Sequence, residues 1–167
     1  INTWYGRGDI PVGVYRGPFP DPDTSAYLHD LTKFPHDLTD KSAPSALEVY
    51  RKVLAEQPNH SVTIISVGFM NNLGILIKEE PKLVAKKVKE LVIMGAHNGD
   101  DHNLGFHNTV EAAQNVLEKW PSPIVFHHLG GDVMTGARLK ETPADNPVRM
   151  AYYKYSVSYT HLTLPTN

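Results

Sequence analysis

The stretch His60–Ile77 reads HSVTIISVGFMNNLGILI. Val62, Ile64, Ile65 and Val67 form a short apolar run rich in β-branched residues, the pattern of a strand buried on both faces of a parallel sheet. Gly68 punctuates the run. Asn71 or Asn72 is placed to cap a helix that begins near Leu73. The stretch therefore predicts a strand, a tight turn and a helix N-terminus. In open α/β sheets ligands bind at the carboxyl ends of strands, which makes Gly68–Asn72 a candidate site. A plain connection without a ligand fits the same pattern.

On either side the pattern repeats. Ser45–Gln57 is an amphipathic helix: Ser45 and Glu48 form a capping box, Leu47, Tyr50, Val53 and Leu54 share one face, and Pro58 closes it. The helix from Leu73 runs to about Glu80, and Pro81–Lys89 is a second helical piece whose lysines form a solvated face. Leu91–Met94 and Ile124–Phe126 are further buried strands, separated by a helix over Thr109–Trp120. Alternating strands and helices predict an open, mainly parallel α/β sheet with helices on both faces and right-handed crossovers. Near the start, Ile1–Tyr5 reads as a last helical turn stopped by Gly6 in the left-handed conformation. Ile10–Tyr15 is a short strand candidate, weakened by Gly13. Residues Arg16–Ala43 are polar and proline-rich, without a clear period. Asn146 and Pro147 begin a final helix over Val148–Tyr155.

Composition excludes several classes. The 167 residues carry a net charge of −2 and no basic face, which does not point to nucleic acid as a partner. No run is long enough to span a membrane as a helix. The absence of cysteine excludes disulfides and thiolate metal sites. Compartment and oligomeric state stay open, a homo-oligomer included.

Ala96–Asn108, AHNGDDHNLGFHN, is dense in hydrogen-bonding groups and low in bulk. It follows the Leu91–Met94 strand, on the edge that also holds Asn71. Such a rim suits a small polyhydroxylated ligand, where each hydroxyl needs a donor and an acceptor. Met94, Asn98, Asn103, His107 and Asn108 are the candidate substrate-binding residues. His97, His102 and His107 could also be read as a transition-metal site, but their even spacing is not helical and a solvated loop explains them.

The chain changes character at its end. Val157–Thr166, VSYTHLTLPT, resembles the translation of a transposase sequencing adapter. The expectation is an incomplete domain over residues 1–155 followed by a non-native tail over residues 156–167.

The segments NTWYGRGDIPVGVYRG, VTIISVGFMNNLGIL, ELVIMG, EAAQNVLEKWPSPIVF and TGARLKETPADNPVRMAYYKY together resemble the inosine/uridine-preferring nucleoside hydrolases. The resemblance covers nearly all of Ile1–Tyr155. It implies an open α/β domain that cleaves the N-glycosidic bond of ribonucleosides, using a calcium ion that activates water and chelates the ribose. It also implies that the main metal-binding aspartates lie before Ile1 and after Tyr155, so that the catalytic residues are not in this stretch and the stretch alone is inactive. Within it, the family's backbone-carbonyl calcium ligand falls on Asn71, and Met94 matches the methionine at the strand end. Many members place a Glu and an Asn where this chain has Asn103 and Gly105, and an acidic residue near His128. These departures motivate the alternative: a degenerate member that binds a nucleoside or sugar without turning it over.

Overall fold

Strands β1 (Val62–Ser66), β2 (Val88–Met94) and β3 (Ile124–His127) lie side by side in sequence order as one parallel sheet. The computed structural model describes residues 1–18, 25, 27–95, 102–105, 109–127 and 136–158. The register aligns Ile64 with Leu91 and Ile124, and Ile65 with Val92 and Val125. It slips by one residue between Val62 and Thr63, which pair with Val88 and Glu90. The bulge sits where α4 (Pro81–Lys87) runs straight into β2, so that strand starts three residues before the expected Leu91.

The sheet belongs to one compact unit, Val12–Pro20 with Ala43–Leu129. Its core is built from alternate strand residues, Ile64, Leu91 and Ile93, together with one helical layer. That layer comprises α2 (Ala46–Glu56), α3 (Asn71–Glu79), α4 and α6 (Val110–Lys119). They contribute Leu54, Leu73, Leu76, Ile77, Val84, Ala113 and Val116, all buried. The open parallel α/β architecture agrees with the sequence. Burial on both faces of β1 does not: Ile65 and Val67 are each 68 % exposed. Among the described residues the helical layer of this core covers one face, and the period-two alternation of a strand sends Ile65 and Val67 to the other.

Local chemistry explains the helix ends. Ser45 accepts from the Glu48 backbone N–H at 3.3 Å, and Glu48 accepts from the Ser45 N–H at 2.8 Å, which completes the capping box. Asn71 and Asn72 do not cap α3. The helix starts two residues earlier than expected, at Asn71 itself, with Met70 at the cap position and no side-chain cap. Ile10–Tyr15 is not a strand; it makes a single parallel bridge between Val14 and Ser45. A Cβ on Gly13 would lie 2.7 Å from the Ala46 Cα, so this approach to the start of α2 requires glycine.

The second unit gathers Ile1–Pro11, Asp21–Ser42 and Gly130–Asn167. Gly6 has φ +69°, with the Arg7 N–H bonded to the Asn2 carbonyl and the Gly6 N–H to that of Thr3. This is the helix-stop pairing expected from the sequence. Trp4 packs edge-on against Phe34 at 5.5 Å. Within the long polar segment, Leu28–Leu31 forms a short helix, α1, that hydrophobic periodicity does not predict. Asn146 caps α7 (Pro147–Ser158), accepting from the N–H groups of Val148 and Arg149 at 3.0 and 3.1 Å, and donates to the Tyr5 hydroxyl at 2.8 Å. Lys154 pairs with Asp30. Helix α7 extends two residues into the stretch that resembles an adapter; Tyr159–Asn167 lie outside the described residues.

Candidate functional site

Because all three strands run parallel, the turns that leave them share one edge. At the carboxyl end of β1 a cleft of about 330 Å³ opens, lined by Tyr15, Tyr50, Ser66, Gly68, Phe69 and Asn71 among others. Burial pushes the Tyr50 pKa above the ordinary 10.0. A second cleft of about 630 Å³ follows the groove between α3 and α6, from Tyr15 and Asn71 past Gly74 and Glu111 to Lys78 and Lys119. A Cβ on Gly74 would come within 3.1 Å of the Ala112 Cβ, and this close approach forms the floor of the groove. Tyr15 and Asn71 line both clefts.

Asn71 is the first residue of α3, so its backbone carbonyl enters the helix ladder while its side chain remains at the cleft. The side-chain Nδ2 donates to the Tyr15 hydroxyl at 3.4 Å, the long end of hydrogen-bond range. The other end, Oδ1, is buried without a partner, the one such side-chain atom among the described residues. Tyr15 had no distinguishing mark in the sequence. It lies 56 residues before Asn71, and only the folded chain brings the two together.

At the end of β2, Met94 is 46 % exposed and pairs in register with His127. Its carbonyl accepts from Asn103 Nδ2 at 2.9 Å. Asn103 sits on the short helix α5 (His102–Gly105), so two of the expected substrate-binding residues are joined directly. Asn98, His107 and Asn108, like His97 and His128, lie outside the described residues. Among the described residues no three His, Asp or Glu side chains come together as metal ligands.

An open parallel sheet with a polar carboxyl edge defines the α/β class whose ligands bind at strand ends. The chain belongs to the inosine-uridine preferring nucleoside hydrolase family, whose model matches residues 3–162. Its fold is similar to that of a plant nucleoside hydrolase, the PpNRh1 enzyme, with a TM-score of 0.60 and 23 % sequence identity. That match covers 95 % of this chain and 54 % of the plant chain, so this chain spans about half the length of its structural relative. No curated protein matches it.

Proposed function

We propose that this chain is part of a hydrolase that cleaves the N-glycosidic bond of a ribonucleoside of the inosine or uridine type. The observation that carries the reading is the family match over residues 3–162. The carboxyl edge of the sheet supports it, since the β1–α3 turn and the Met94–Asn103 contact both lie at strand ends. Cleavage at the anomeric carbon develops oxocarbenium character, and groups that hold the sugar hydroxyls orient it for attack by water. In this reading Met94 and Asn103, with Asn98, His107 and Asn108, form the ribose side of the pocket. The cofactor proposed is calcium, with the Asn71 carbonyl as one ligand. The carboxylates that would complete its shell are those the family resemblance places before Ile1 and after Tyr155. We also propose that residues 156–167 are not native; a second, independent copy of the gene that encodes VSYTHLTLPT after Ser156 would refute this.

The test is the complete gene product assayed on inosine and uridine, with calcium and with a chelator. The expected result is release of free base and ribose, lost on chelation. Binding of a nucleoside without turnover on any of the common ribonucleosides would instead support the degenerate-member reading, which the Gly105 and His128 departures favour. The 167-residue chain alone is expected to bind no calcium at micromolar concentration by calorimetry.

A further inference from the structure

The groove between α3 and α6 takes no part in the reading above, although at about 630 Å³ it is larger than the 330 Å³ cleft at β1. Its charges are sorted by the helices that build it. Glu111 is the acidic residue in the first turn of α6, and Lys119 and Lys78 are the basic residues in the last turns of α6 and α3. Both helices cover the same face of a parallel sheet and lead from one strand to the next, so they run in the same direction. The Gly74–Ala112 approach joins their first turns. The groove is therefore acidic at its amino end and basic at its carboxyl end, with Ile75 and Asn115 between. All three charged side chains are exposed. Helix dipoles favour this placement of charge but leave the side chains without partners. Among the described residues neither Glu111 nor Lys78 makes an ion pair, and Lys119 donates to Asn115 on its own helix.

We propose that the α3–α6 groove is a self-complementary docking surface for a second copy of this chain. A two-fold axis crossing the groove at right angles reverses the direction of the second copy's helices. Glu111 of each copy then meets Lys78 and Lys119 of the other, and every such pair is made twice. Copies stacked in the same direction would instead set like charges against like, which is unfavourable. Glu111 and Lys119 lie at opposite ends of α6, about 12 Å apart along the helix, too far to pair within one copy. Gly74 and Ala112 keep the acidic end low, so a lysine stem from the second copy can lie along it. The inference does not rest on the proposed activity.

The experiment follows the mass of the complete gene product by sedimentation. The wild type is expected to be a dimer, alone or within a larger even-numbered assembly. Glu111→Lys leaves only cations in the groove, and Lys78→Glu with Lys119→Glu leaves only acids. Each change is expected to raise the Kd of this association about tenfold or more, since like charges then face each other in both halves of the interface. Combining all three substitutions reverses every charge on both copies, and should bring the Kd back to within about threefold of the wild type. A monomeric wild type overturns the proposal and leaves the groove to another segment of the chain or to a different partner. An assembly indifferent to the reversals, or a triple variant no better than the others, also overturns it. Should a reversed variant not fold, carbodiimide cross-linking of mixed light and heavy-isotope wild type decides. An amide between Glu111 and Lys78 or Lys119 that joins a light chain to a heavy one upholds the proposal, and its absence overturns it.

Discussion

The Asn103 side chain donates to the carbonyl of Met94 at 2.9 Å, tying α5 to the last residue of β2. The two residues are nine apart in sequence. Asn103 is therefore a tether as well as a candidate sugar contact.

That double role yields a distinctive prediction. Asn103→Ala in the complete gene product removes both the tether and an amide, and should lower kcat/KM on the order of 5- to 150-fold, with kcat as well as KM affected. Asn103→Asp keeps acceptor oxygens but cannot donate to the Met94 carbonyl, so it should not restore activity. Steady-state kinetics on inosine and uridine decide it. An active wild type with an unaltered Asn103→Ala variant would move the sugar contact to His107 or Asn108.

The capping box at α2 predicts a pH-dependent stability. Ser45→Ala should destabilise the fold by about 1 kcal/mol near neutral pH, measured by urea unfolding. Glu48 has its pKa lowered from 4.5, chiefly by the Ser45 side-chain hydrogen bond. A depressed carboxylate pKa stabilises the fold above 4.5, and that contribution disappears as pH falls through the lowered value. The difference between wild type and Ser45→Ala should therefore narrow on acidification. A gap that stays constant to low pH would show that Glu48 is not part of the cap in solution.

How much could be read before the fold was known depends on distance along the chain. Ser45 with Glu48, and Asn146 with Val148, are contacts within one turn, and the capping residues are visible in the sequence. The β-branched runs mark the strands, because a parallel strand is selected by residue type over a few positions. The cover of each sheet face is different. Which side of β1 the helices take depends on crossovers tens of residues long, so Ile65 and Ile64 read alike. The pairing of Tyr15 with Asn71 is hidden for the same reason. Asn71 itself shows a limit of local signals: an asparagine before an apolar run looks like a cap, yet the ladder starts on it.

Gly13 offers a packing test. Gly13→Ala puts a methyl 2.7 Å from the Ala46 Cα and 3.0 Å from its backbone nitrogen, where no flexible side chain can yield. The expected cost is about 1–3 kcal/mol, seen as a lower urea midpoint. An unchanged midpoint would mean that the start of α2 moves freely.

The bare sheet face predicts association of the 167-residue chain. Among the described residues Ile65 and Val67 stand exposed, as does Val125 on β3. Exposed apolar β surface and an unpaired strand edge favour intermolecular contact. The double substitution of Ile65→Thr and Val67→Thr keeps β-branched residues and should reduce light scattering sharply. Its effect on stability should stay within about 1 kcal/mol, since neither side chain is buried. Scattering that does not change would place the sticky surface elsewhere.

The division of the chain into two units bears on the order in which a ribosome delivers them. The sheet unit is nearly continuous, running from Ala43 to Leu129 with only Val12–Pro20 added from upstream. The other unit collects three separated stretches, and its last one begins at Gly130. Its first two stretches, Ile1–Pro11 and Asp21–Ser42, therefore emerge long before their partners: Asn146, which meets Tyr5, and Lys154, which meets Asp30. Closing contacts across more than a hundred residues is slow relative to pairing neighbouring strands. During synthesis the parallel sheet can settle while these two stretches wait for contacts that form only once α7 has left the exit tunnel.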